Sequence, residues 1–133
     1  MKKIEHIGIA VKNLQASEQL FEALLGSKVY KRETVESEGV ITSFLQIGET
    51  KIELLAATRD DSPIAKFINK RGEGIHHIAF EVENIHQTIT EKTALGFEMI
   101  HAQPKDGADN KLIAFFHPKS TGSVLTEICQ EKG

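Results

Sequence analysis

Alternating apolar and polar positions mark eight short strands along the chain, at 4–11, 28–35, 40–47, 50–56, 75–82, 97–102, 111–116 and 123–129. Three stretches between them change to a helical period. Asn13 and Asn84 suit helix N-caps, and Gln87 follows Asn84 at capping-box spacing. Leu14, Leu20, Phe21, Leu24 and Leu25 are predicted to make one apolar helix face, closed by Gly26; Gly96 closes the corresponding later helix. Ser62-Pro63 reads as N-cap and first residue of a third helix, with Ile64, Phe67 and Ile68 on its buried side and Gly72 ending it. Gly48 and the Pro118–Gly122 stretch mark hairpin turns.

The pattern occurs twice. His6-Ile-Gly-Ile-Ala-Val11 matches His77-Ile-Ala-Phe-Glu-Val82. Each run continues to an asparagine, an apolar residue, a helix and a Leu-Gly pair. Each half also ends in a strand with an inserted glutamate, Ile52-Glu53-Leu54-Leu55 and Leu125-Thr126-Glu127-Ile128. Both halves therefore read β-α-β-β-β. The division is a first module at 1–56, a linker with its own helix at 57–74, and a second module at 75–133. Neither half has core enough alone, so the two are expected to pair.

Composition narrows the function. The chain has 133 residues, 40% hydrophobic and 26% charged, with a net charge of −3. That is a globular balance, and it argues against a nucleic-acid protein held by a basic patch. No apolar run approaches the roughly 20 residues that span a bilayer. Met1 to Val11 carries charge and a histidine where a secretory leader would be apolar. The single cysteine, Cys129, leaves no intramolecular disulfide and no thiolate-rich zinc site. A cytoplasmic, reducing environment is expected.

The chemistry lies in the repeated polar residues. His6 and His77 open equivalent strands; Glu53 and Glu127 sit on equivalent last strands, each among apolar neighbours. A glutamate sharing a strand face with buried residues is costly unless paired or metal-bound. Modules paired about a pseudo-twofold axis would bring all four side chains together. Two imidazoles and two carboxylates suit a borderline divalent ion such as Zn, Co, Ni, Mn or Fe, and leave two octahedral positions open. His76 should face away from His77 and act structurally, His86 should be solvated, and His101 has no counterpart in the first half.

These residues resemble the vicinal oxygen chelate superfamily. More particularly, Gly48–Leu55, Asp61–Phe67, Lys70–Val82 and Phe116–Gly122 resemble the methylmalonyl-CoA epimerase family over nearly the whole chain. The resemblance implies an α+β fold in which two paired βαβββ modules form a cupped eight-stranded mixed sheet around a metal cleft. It places the metal ligands on His6, Glu53, His77 and Glu127, with Co, Zn, Ni or Mn as the ion. It implies an isomerase that epimerises an acyl-CoA at C2, with Glu127 as one proton-transfer group; either Glu53 or a bound water makes the second transfer, or Glu127 acts alone. A homodimer with no nucleic-acid or membrane partner is expected. Three departures stand out: Thr42 lies where some relatives carry a carboxylate, Asp109-Asn110 where relatives often have His-Gly, and Thr126, beside Glu127, where relatives usually have an aliphatic residue. Lys119 and Lys105 are candidates to meet the phosphates of CoA. A glyoxalase I-type lactoylglutathione lyase is the closest rival, and a non-catalytic small-molecule-binding module is the rival from another class.

Overall fold

A computed structural model describes all residues, Met1–Gly133. Eight strands and three α-helices are present: β1 (Lys3–Ala10), α1 (Leu14–Leu25), β2 (Lys31–Val35), β3 (Val40–Ile47), β4 (Thr50–Ala57), α2 (Pro63–Arg71), β5 (Gly74–Glu81), α3 (Ile85–Ala94), β6 (Lys105–Asp106), β7 (Lys111–Phe116) and β8 (Thr126–Glu131). The chain falls into two compact units, His6–His76 and Met1–Glu5 with His77–Gly133. Each follows the β-α-β-β-β order that the repeat predicts, and each mixes parallel and antiparallel pairs.

In the first unit the strand order is β2-β3-β4-β1, with β1 parallel to β4 and the other pairs antiparallel. Helix α1 covers one face. Asn13 accepts from the Ala16 amide at its start, and Gly26 closes it in the left-handed conformation. Leu14, Phe21 and Leu25 pack against Val11, Leu45 and Leu54. Leu20 and Leu24, expected on that face, are instead 61% and 70% exposed. The reason is angular. The buried stripe runs i, i+4, i+7, i+11 through Leu14, Glu18, Phe21 and Leu25, and Leu20 and Leu24 lie to its side. Helix α2, capped by Ser62, packs on the opposite sheet face, where Ile64 meets Ala10, Val40 and Leu55.

The second unit has the order β5-β8-β7-β6, with β5 parallel to β8. Asn84 caps α3, and Ile85 of that helix packs with Val82, Ala114, Phe116 and Ile128. The strand expected at 97–102 is not formed; that segment makes only an isolated bridge, Met99 to Phe116, and the edge strand is the two-residue β6. Two backbone hydrogen bonds, the Ile100 amide to the Phe115 carbonyl at 2.9 Å and the His117 amide to the Glu98 carbonyl at 2.7 Å, make up that bridge, and the Phe97 ring packs against Phe116 at 5.8 Å beside it. The N-terminal residues belong here too: the Lys2 amide donates to the Glu81 carbonyl at 2.8 Å.

Gly39, which leads into β3, has φ +62°. Arg59 crosses beside it and donates to the carbonyls of Glu36 and Ser37 at 2.6 and 3.3 Å. A Cβ at position 39 would lie 2.9 Å from both Arg59 Cζ and Ser62 Cβ. Gly39→Ala is therefore expected to cost about 2–4 kcal/mol, from left-handed strain plus overpacking. The urea midpoint should fall with no change in slope.

Candidate metal centre

Each unit builds a buried histidine–glutamate pair by the same construction. In the first, parallel β1 and β4 place Gly8 beside Glu53, so His6, two residues earlier, projects from the same face. His6 Nδ1 lies 3.2 Å from Glu53 Oε2. In the second, parallel β5 and β8 place Ala79 beside Glu127, and His77 again stands two residues before that partner. His77 Nε2 lies 3.4 Å from Glu127 Oε1. All four residues are buried.

The likeness extends to the antiparallel neighbour. Phe44 stands directly opposite Glu53, and Phe115 directly opposite Glu127. The Phe115 ring meets the His77 imidazole edge-on, centroids 5.7 Å apart. The phenylalanines put an apolar surface beside each pair, which lowers the local dielectric and strengthens any ionic interaction there. They escaped the sequence reading because their equivalence depends on hairpin register.

The two pairs differ from the other buried carboxylate of the first unit, Glu18. Glu18 takes Nε and Nη2 of Arg32 at 2.6 and 2.9 Å and also accepts from the Ser43 hydroxyl. Hydrogen bonding to Arg32 foremost, with Ser43 assisting, holds its carboxyl below the usual range. That is a structural ion pair clamping α1 to the sheet. Glu53 and Glu127 instead face ring nitrogens. An imidazole nitrogen and a carboxylate oxygen 3.2 to 3.4 Å apart, out of water, are the donor set a borderline divalent cation prefers. The residues fit the group, each pair supplying two donors.

The remaining candidates separate cleanly. His76 meets Phe67 edge-on, centroids 5.0 Å apart, and burial lowers its pKa to about 4, so it is a neutral packing residue. His86 and His101 are exposed. Burial pushes the Cys129 thiol up, which makes it a poor nucleophile. The Thr126 hydroxyl donates to the Val124 carbonyl at 3.0 Å, a local bond on the turn into β8. Lys119 pairs with Glu98 at 3.0 Å.

A duplicated βαβββ fold with a His–Glu pair in each half defines a class of protein. The model of the glyoxalase/bleomycin resistance protein/dioxygenase superfamily matches residues 5–115, and the chain belongs to that superfamily. Within it, the chain belongs to the methylmalonyl-CoA epimerase family. The mitochondrial methylmalonyl-CoA epimerase of Dictyostelium discoideum is 40% identical over 127 residues, which is 95% of this chain and 76% of that protein. The ethylmalonyl-CoA/methylmalonyl-CoA epimerase of Cereibacter sphaeroides is 35% identical, covering 96% of this chain and 97% of that one. A serine-to-threonine variant of the Streptomyces coelicolor methylmalonyl-CoA epimerase, solved in complex with 2-nitronate-propionyl-CoA, matches with TM-score 0.95 and 33% identity, over 100% of this chain and 96% of that one.

Proposed function

We propose that the protein interconverts the two C2 epimers of methylmalonyl-CoA by removing and returning the C2 proton, and that its two His–Glu pairs serve one divalent ion. The observation that carries the reading is the duplicated pair itself: the same residue types, the same register offset and the same burial in each half. Family membership supports the substrate.

His6, Glu53, His77 and Glu127 would hold the ion, with Co, Zn, Ni or Mn as candidates. When bound, a divalent ion supplies positive charge that favours the enolate form of a malonyl thioester. The chain's own work is to position and to move protons. Phe44 and Phe115 exclude water beside the carboxylates. Glu127, buried beside Phe115, takes or returns the C2 proton; the C2–H bond breaks as the carboxylate O–H forms, and the electron pair moves to the thioester oxygen. The same donor set makes Glu53 a candidate for the other transfer. No helix is long and apolar enough to cross a membrane. A homodimer, implied by the family resemblance, is part of the same reading.

The test is direct. With Co2+ present, (S)-methylmalonyl-CoA in D2O should gain deuterium at C2 while the (R) epimer accumulates. A hemithioacetal of methylglyoxal and glutathione should remain unchanged. Isomerisation of the hemithioacetal without exchange in the acyl-CoA would overturn the reading in favour of a lactoylglutathione lyase.

A further inference from the structure

One face of the second unit's sheet is turned away from α3, and it carries His77 and Glu127. Register identifies its other occupants, because directly opposed residues project to the same side. Phe115 stands opposite Glu127, Ile113 opposite Cys129, and Lys111 opposite Glu131. Packing agrees with the register. The alternate residues of β7, Leu112, Ala114 and Phe116, lie with Ile85 of α3 in the apolar cluster on the other side. Lys111 is the anomaly of the first face. It is only 7% exposed, and a lysine is rarely so buried without a partner. Yet no carboxylate stands within ion-pair distance of its ammonium, not even Glu131 across the ladder. The buried Glu18 of the first unit, by contrast, is met by Arg32.

The duplication shows what this position does in the other half. Val40 stands opposite Ala57, four residues before Phe44, just as Lys111 stands opposite Glu131, four residues before Phe115. Val40 is a core residue packed with Ile64 of α2. The second unit has α3 as its one α-helix, on the other face, so an apolar residue at 111 would have no helix of its own unit to pack against. A cation stands there instead. Its ammonium keeps contact with water, since no sealed polar side-chain atom in the molecule lacks a hydrogen bond. A buried stem with a wet, unpaired tip holds a cation out to an anion from solution. The neighbours say where that anion sits. At about 3.3 Å per residue, Lys111 lies about 13 Å from Phe115 along β7. Cys129 lies between them on β8, and its thiol feels both charges: behind burial, the main cause, Glu127 pushes it up and Lys111 pulls it down. The carboxylate and the ammonium therefore approach one another over Cys129.

Resting on the epimerase reading above, we propose that Lys111 binds the free carboxylate of the malonyl group and so selects acyl-CoA thioesters that carry a second acid. A malonyl thioester holds that carboxylate one bond from C2, so with its C2 proton at Glu127 the carboxylate is within reach of Lys111. Two anions meet there, and their repulsion opposes binding. The ammonium offsets it through a charge-assisted contact that a neutral acyl group cannot make. Pairing the carboxylate also eases proton removal, because it draws negative charge away from the carbon that gives up its proton. Ile113 and Phe115, apolar and half-buried on the same face, strengthen the pairing by keeping water from it.

Calorimetry on the metal-loaded protein tests the assignment, with malonyl-CoA and with propionyl-CoA, which lacks the second acid. Wild type should bind malonyl-CoA more tightly. Lys111→Met keeps the length of the side chain and removes the charge. It should weaken malonyl-CoA binding about 10- to 100-fold, the worth of a hydrogen bond to a charged group, and move propionyl-CoA by less than about threefold. Lys111→Arg, which keeps the charge, should retain much of the preference. Divalent ion per chain, read by elemental analysis, should match wild type in both variants. Equal affinity of wild type for the two thioesters, the same loss for both in Lys111→Met, or undiminished malonyl-CoA binding overturns the assignment. C2 exchange by wild type would then keep the epimerase reading in place. A Lys111-dependent preference without C2 exchange overturns the epimerase reading and leaves the carboxylate site standing.

Discussion

Glu127→Gln is expected to abolish C2 exchange while leaving the protein folded. The carboxylate is buried, faces His77 Nε2 at 3.4 Å and lies opposite Phe115, so nothing but the isosteric amide can replace it without leaving a gap. The amide keeps an oxygen and the volume, and it removes the charge and the basicity. Loss of a positioned proton-transfer group costs about 100- to 10,000-fold in rate. The pair with His77 is not what holds the second unit together; that unit rests on the apolar cluster of Val82, Ile85, Ala114, Phe116 and Ile128 on the other sheet face. With divalent ions removed from both proteins, a shift of no more than about 1 kcal/mol in stability is therefore expected, in the range of a single hydrogen bond. Deuterium incorporation by mass spectrometry and a thermal melt on the same sample give both readings. Wild-type turnover in the variant would remove Glu127 from the chemistry.

The repeat made much of this legible in the chain itself. Matching His, Asn, Leu-Gly and Glu positions divided the chain into two β-α-β-β-β halves and singled out as candidates His6, Glu53, His77 and Glu127, which the structure shows as two buried pairs. What sequence could not supply depends on register or on partners distant in the chain. Phe44 and Phe115 are equivalent because each stands opposite a glutamate across a hairpin. Glu18 looks like a surface residue of α1 until Arg32, 14 residues on, brings a guanidinium to it. With Glu18 in the centre of the stripe, Leu20 and Leu24 turn outward. The segment at 97–102 has the alternation of a strand, but its pairing is limited to one bridge, with Phe97 and Met99 packing beside it.

Stripping divalent ions with a chelator is expected to lower activity by about 100-fold or more, with recovery on adding back Co2+ or Mn2+. Activity alone would not say how many ions are held, so stoichiometry and stability carry the argument. One ion shared by both pairs gives one equivalent per chain. Each pair offers only two donors, and a lone His–Glu pair holds a borderline cation weakly. His6→Ala and His77→Ala should therefore each take the stoichiometry from one to near zero, since either loss leaves three donors and an incomplete set. Two independent sites would behave otherwise: wild type would hold two ions and each variant one. The melt offers a second readout. An ion bound only by the folded state at 100 times its Kd stabilises by about 2.7 kcal/mol, which corresponds to roughly 10 °C for a chain of this size. That shift should be present in wild type and absent from both histidine variants. A histidine variant that keeps the full ion-dependent shift would exclude that histidine as a ligand and separate the two pairs.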